Sequence, residues 1–206
     1  MGYPSLKNLD DWMTDPVQLR RLDELVVYTQ RIAFIKSIMN LKSSDRLIFS
    51  VVERSCERRG LPCKSVRGRP VHIFNYKHLS IARRYAASVL LKALYNTDDA
   101  DLEAGADGTL VVGELLDRML YVYGRYLHQS KLSPAEAPLS FEYFAFMRQQ
   151  YALAELEFVG CDVCGSEYLT GLRLDVLKCP ICVSHKHAIR PSDHELLTRD
   201  LVRRSA

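Results

Sequence analysis

Four cysteines near the end of the chain, Cys161, Cys164, Cys179 and Cys182, form two Cys-x-x-Cys pairs separated by fourteen residues. That spacing belongs to a tetrahedral metal site rather than to a disulfide framework. Each pair aims two sulfurs at one point, and zinc accepts four at about 2.3 Å each. Gly165 follows the first pair, where the chain must bend around the thiolates, and Pro180 stiffens the second. Four thiolates around a dication leave a charge of −2, and Lys178, Lys186 and Arg190 lie near enough in sequence to offset it. A thioredoxin-like redox pair would stand beside a βαβ pattern, which this chain lacks, and a catalytic zinc would keep an open position. The spacing therefore predicts a structural Zn2+ ion in a small module over 158–190, a ribbon whose second Cys-x-x-Cys turn faces the first. Metal binding of about 10 to 16 kcal/mol would then serve as folding energy for a ribbon too small to hold itself. Cys56 and Cys63 have no such spacing and read as free thiols, packed or partly exposed.

With 206 residues, 48% of them hydrophobic and 26% charged, the chain has material for one main domain plus a small appendage, and disorder throughout is excluded. Ser88 and Lys92 break its most apolar run, Ala86 to Leu94, far short of a membrane span. Asp10, Asp11 and Asp15 stand where a secretory signal needs basic and apolar residues, so a soluble cytoplasmic protein is expected.

The net charge of +3 hides a strong asymmetry. Residues 31–92 carry 14 basic and 3 acidic side chains, whereas residues 93–160 carry 4 basic and 11 acidic. A basic third followed by an acidic third suggests one surface for a polyanion and another held away from it. The plainer alternative is a pair of solvated helix faces that partly neutralise each other.

Periodicity predicts a mainly α fold. Asp15 and Pro16 open one long helix to about Leu41, with Leu22, Leu25, Val26, Ile32, Ile35, Ile38 and Met39 as its apolar stripe. A second helix runs from a Ser44 cap through Leu47, Ile48, Val51 and Val52 to Gly60, and a third covers about Leu79 to Asn96. In the third, Ala82, Tyr85, Ala86, Val89, Leu90 and Ala93 share one side, with Arg83 and Arg84 on the other. An acidic loop, Thr97 to Gly108, lacks the glycine and terminal glutamate of a calcium loop. A fourth helix spans Leu110 to about Gln129, a fifth runs from a Ser140 cap through Leu156, and a capping box at Ser192 and Glu195 opens a short amphipathic tail. The expected organisation is a helical domain over 1–157, with a helix-turn-helix-like DNA-binding region at about 44–96, the zinc module over 158–190 and a tail over 191–206.

Between the second and third helices stands Arg67-Gly68-Arg69-Pro70, which resembles the core of an AT-hook. There a glycine clears the floor of a narrow minor groove while two arginines lie along it. The alternative is a glycine-proline turn with exposed arginines. The basic residues expected to meet phosphates or enter a groove are Arg58, Arg59, Lys64, Arg67, Arg69, Lys77, Arg83 and Arg84. His185 and His187 beside Cys182 are exposed, or reach a phosphate or the metal centre's surround.

Several of these features together resemble the C subunit of the flagellar master transcriptional activator, the FlhC family. They are the basic helical segment, Tyr123-Gly124-Arg125-Tyr126-Leu127, the Pro138 to Phe141 step, and the Cys-x-x-Cys-Gly and Cys-Pro-x-Cys pairs. The likeness covers about residues 31–182 and is best from Leu115 onward. It implies zinc-ligand roles for Cys161, Cys164, Cys179 and Cys182. It also implies a mostly helical subunit that binds double-stranded promoter DNA, joins a small helical D-type (FlhD-like) subunit in a hetero-oligomer, and recruits RNA polymerase. The chain departs from the family where Arg67–Pro70 and Val71-His72-Ile73-Phe74 replace a proline-lysine-glycine turn ahead of an aromatic-rich segment. Relatives on conjugative elements control transfer genes instead of flagellar ones. An activator subunit is thus expected, not an enzyme, with no membrane partner and no small-molecule substrate. The other class is a zinc-stabilised adaptor that binds proteins without touching DNA, while a nuclease would need a histidine and carboxylate cluster that is missing here.

Overall fold

A computed structural model describes residues 14–64, 76, 79–96, 114–171 and 178–186. Among these residues the order is α1 (Pro16–Tyr28), α2 (Ile32–Ile38), α3 (Asp45–Arg58), α4 (Ile81–Tyr95), α5 (Glu114–Ser130), α6 (Phe141–Ala152), β1 (Leu156–Gly160), β2 (Glu167–Gly171) and α7 (Pro180–Lys186). The protein is mainly helical, with the four cysteines gathered at its C-terminal end. No helix among the described residues is long and apolar enough to cross a membrane.

Local chemistry sets most helix starts. The Asp15 carboxylate accepts the Val17 and Gln18 N–H groups, and the Ser44, Ser80 and Ser140 hydroxyls accept those of Leu47, Arg83 and Tyr143. Helix ends share one device. After α2, α3, α5 and α6 the chain turns through a left-handed residue, at Asn40, Gly60, Lys131 and Ala154. In each case the next N–H bonds back across the last turn: Leu41 to Lys36, Leu61 to Cys56, Leu132 to Leu127 and Glu155 to Gln150, at 2.9 to 3.0 Å.

The helix expected from Asp15 to Leu41 is two helices. Thr29 takes an extended conformation, and its hydroxyl accepts the Arg31 N–H at 3.2 Å. The Gln30 amide then straps the loop beyond α3, donating to the Pro62 carbonyl at 3.1 Å and accepting the Lys64 N–H at 2.6 Å. Three residues leave the helical path because their polar groups have partners outside it.

The chain divides into two compact units. The first holds α1, α2, α3 and α5 up to Leu120. Here α3 packs on α1 and α2, burying Ile48, Val51, Val52 and Cys56 with Leu22, Leu25, Val26, Phe34, Ile35 and Ile38. Leu47, expected in that stripe, is 52% exposed. The buried Arg21 grips Asp117 with two hydrogen bonds, of 2.9 and 2.6 Å.

The second unit holds α4, α5 from Tyr121, α6, the hairpin and α7. Within it α4 packs against α6, β2 and α7 and is buried almost all round from Ala86 to Leu94. Tyr123 stacks on Phe144 at 6.1 Å, meets Phe141 edge-on at 5.4 Å, and donates from its hydroxyl to the Leu139 carbonyl at 2.8 Å. The fifth helix ends at Ala152, not at Leu156, because Ala154 turns the chain and Leu156 begins β1. The two helices of the expected helix-turn-helix-like region, α3 and α4, fall in different units. The stretch Arg67–Pro70, with Arg67 and Arg69, lies outside the described residues, as do Lys77, the acidic loop Thr97 to Gly108, and the tail from Ser192.

Candidate metal centre

β1 and β2 pair antiparallel from Leu156↔Gly171 to Gly160↔Glu167, and the turn between them carries the first cysteine pair. Gly165, at φ +69°, closes this turn by donating its N–H to the Cys161 carbonyl at 2.8 Å, and the Cys161 N–H returns to Ser166 O at 2.9 Å. A Cβ at Gly165 would meet nothing within 4 Å, so backbone conformation, not space, asks for glycine there. The second pair does not sit on an opposing ribbon turn. Pro180 opens α7, so Cys179 stands at the helix start and Cys182 in its first turn.

All four sulfurs lie within 4.8 Å of one another, with Cys161 to Cys182 at 3.6 Å and Cys164 to Cys179 at 3.9 Å. Sulfurs at the corners of a zinc tetrahedron stand about 3.8 Å apart, given bonds of about 2.3 Å. The quartet therefore fits a four-coordinate, thiophilic metal ion such as zinc, with no corner left for a substrate.

Backbone dipoles prepare the sulfurs for that role. The N–H groups of Cys164 and Val163 point at the Cys161 sulfur and bring its thiol down to about 7. Burial pushes the Cys179 thiol up, against the N–H groups of Cys182 and Ile181 that point at it. The Cys182 thiol is pushed up to about 12, first by its hydrogen bond with Cys164 and then by burial. One thiolate thus forms near neutrality, and a cation must displace the protons held by its neighbours.

The module is also built into the helical body. Tyr168, Cys179 and Ile181 form a buried cluster, against which Tyr85, Val159, Cys161 and Cys182 pack. Leu169, in the middle of β2, donates its N–H to the Ser88 hydroxyl at 3.0 Å, and its carbonyl accepts the Tyr76 hydroxyl at 2.6 Å. Lys92 meets Glu167 at 2.9 Å. Ser88 and Lys92 are one helical turn apart on α4, so a single stripe of that helix holds the hairpin.

No family model matches the chain, and no curated protein matches it significantly.

The basic residues expected at DNA occupy varied settings. Arg58 chelates the Asp23 carboxylate, with Nη2 at 2.6 Å and Nε at 3.1 Å, and Arg59 Nε donates to the Asp23 carbonyl at 2.8 Å. Lys64 is exposed. Arg83 donates to the Pro138 carbonyl at 3.0 Å and lies over the Tyr143 ring at 5.7 Å. Arg84 is not on the solvent side: it is half-buried, whereas Ala82, expected in the packed stripe, is exposed. Arg46 and Arg54, which sequence reasoning passed over, are exposed on α3 with Ser50 between them, and neither side chain has an ion pair or hydrogen bond among the described residues. Their spacing of i, i+4, i+8 after the Ser44 cap was the available signal. Near the metal centre Lys178 is exposed, while the side chains of His185 and Lys186, and His187 and Arg190, lie outside the described residues. Cys56 is buried and Cys63 half-buried, and burial, with the Cys63 thiol next, pushes the Cys56 thiol up to about 11.

Proposed function

We propose that the chain is an FlhC-like, zinc-stabilised subunit of a transcriptional activator. In this reading it binds promoter duplex together with a small helical D-type partner in a hetero-oligomer and recruits RNA polymerase, to flagellar genes or to the transfer genes of a conjugative element. Zinc at Cys161, Cys164, Cys179 and Cys182 fixes the shape of the protein and takes no part in chemistry. The observation that carries the reading is the open arginine edge of α3. Arg46, Ser50 and Arg54 repeat along one side of a capped helix, beside the exposed Leu47, within the chain's most basic third. Arginine forks fit phosphates or guanine edges, hydroxyls fit several bases, and apolar side chains fit the thymine methyl.

Gel retardation on AT-rich and GC-rich duplexes across a salt series, with the chain alone and with a D-type partner, tests this reading. Retention should fall steeply with salt, and Arg46→Ala with Arg54→Ala should reduce the slope of log K against log salt by about 1.8. If the wild-type chain shows no salt-dependent retention with or without the partner, it is instead an adaptor that tethers proteins without touching DNA.

A further inference from the structure

We propose that the outer margin of β1 is a docking site for an extended, basic segment of another protein, which joins the hairpin as a third strand. The inference stands apart from the metal and DNA readings. Three sides of the hairpin are occupied. On one face the Phe158 ring meets Tyr151 of α6 edge-on at 5.6 Å, and on the other Val159 packs on the cluster of Tyr168, Cys179 and Ile181. The β2 margin is closed by Ser88 and Tyr76, which take the N–H and the carbonyl of Leu169.

Register decides what the fourth side offers. Because Leu169 turns both backbone groups away from β1, Phe158 opposite it turns both away from β2. Leu156 and Gly160, two residues to either side on the same strand, point the same way, and the bond from Cys161 N–H to Ser166 O fixes that alternation. None of these outward N–H and carbonyl groups has a hydrogen bond among the described residues, and no further strand there lies beside β1. Neither proline, lysine nor bulge interrupts the margin.

Charge selects the occupant. Glu157, and Glu155 two residues before it, are exposed, and neither carboxylate has an ion pair or hydrogen bond among the described residues. Both belong to the acidic stretch 93–160. A second copy of this chain is repelled, since a two-fold pairing centred on Phe158 makes the two Glu157 side chains diagonal neighbours, about 7 Å apart. A segment with lysine or arginine at alternate positions instead lays its cations beside Glu155 and Glu157 while exchanging backbone bonds with Leu156, Phe158 and Gly160.

The probe is a short capped peptide in which lysine alternates with valine, set against a glutamate-valine peptide and a lysine-valine peptide interrupted by a central proline. Binding to the full chain, with zinc supplied, is read by fluorescence anisotropy, and single amides by hydrogen exchange in NMR spectra. In the free chain the Phe158 and Gly160 amides should exchange at least about tenfold faster than those of Glu157 and Val159, and the lysine-valine peptide should close that gap. Gly160→Pro removes one outward N–H at a position where an added Cβ meets nothing within 4 Å, and should weaken the peptide about tenfold, with Gly160→Ala within about threefold of wild type. Glu155→Lys with Glu157→Lys should reverse the preference towards the glutamate-valine peptide. Should Gly160→Pro not fold, this charge reversal decides, because it leaves the backbone untouched. The proposal is overturned if the outward amides are already protected in the free chain, if the lysine-valine peptide does not bind, or if the proline-interrupted peptide binds as tightly. Equal binding by a folded Gly160→Pro, or an unreversed preference after the charge swap, overturns it as well. Protection that rises with chain concentration and no peptide assigns the margin to a second copy, which also overturns it.

Discussion

Asp23 shows how one carboxylate organises its surroundings. Its side chain accepts from the Ser55 hydroxyl, which is fully buried, and from the Arg58 fork, while its carbonyl accepts from Arg59. Burial pushes the carboxyl up, but the hydrogen bonds from Arg58 and Ser55 and the charges of Arg58 and Arg59 outweigh it, so the group ionises below its ordinary 3.8. A carboxyl lowered on folding contributes stability that is present above its unfolded value and is lost as pH falls through the folded one. The Asp23 contribution is therefore intact at pH 5 and above, begins to be lost near the ordinary value of 3.8 and is gone only once the pH has fallen through the lower folded value. Asp23→Ala should destabilise by about 2 kcal/mol at neutral pH, since Ser55 loses its acceptor and Arg58 its counter-ion. Urea unfolding from pH 7 to pH 2.5 should show the gap between wild type and variant closing only at the acid end.

At the scale of elements, the left-handed helix ends invite a direct experiment. Ala154 sits at φ +55°, is exposed, and ends α6 just before the first strand. A side chain in that conformation costs about 1 kcal/mol that glycine avoids, although glycine gives back part of it as unfolded-state freedom. Ala154→Gly should raise stability by about 0.5 kcal/mol, measurable as a higher urea midpoint at unchanged m-value. The helix starts were legible in the sequence because a capping side chain and its target lie two or three residues apart, as with Asp15, Ser44 and Ser140. The break at Thr29 was not, since Gln30 finds its partners at Pro62 and Lys64, more than thirty residues away. The inward turn of Arg84 was hidden for the same reason: Ser88 and Leu169, whose bond fixes that side of α4, are 81 positions apart. Cysteine spacing announced the quartet, but only the fold shows that its second pair rides on a helix.

For the whole molecule, the four-cysteine cluster and the helical body are joined through α4. The hairpin is bonded to that helix at Ser88 and Lys92 and packed against it at Tyr85, so losing the ion should be felt beyond the cysteines. Chelation, or Cys179→Ser, should abolish hydrogen-exchange protection in β1, β2 and α7 and lower it in α4, while α1 to α3 keep theirs. Acid should do the same. The Cys182 thiol, pushed up to about 12, must give up its proton to bind, as must Cys179, so zinc affinity should fall on the order of a hundredfold or more per pH unit below neutrality, followed by an indicator titration between pH 6 and 8.

The bonds from Ser88 and Tyr76 to Leu169 have a second consequence. A bare strand margin is a template on which other chains can stack and aggregate. Here the middle of that margin is already taken by side chains of the same molecule, which guards a minimal two-stranded sheet against polymerising through β2.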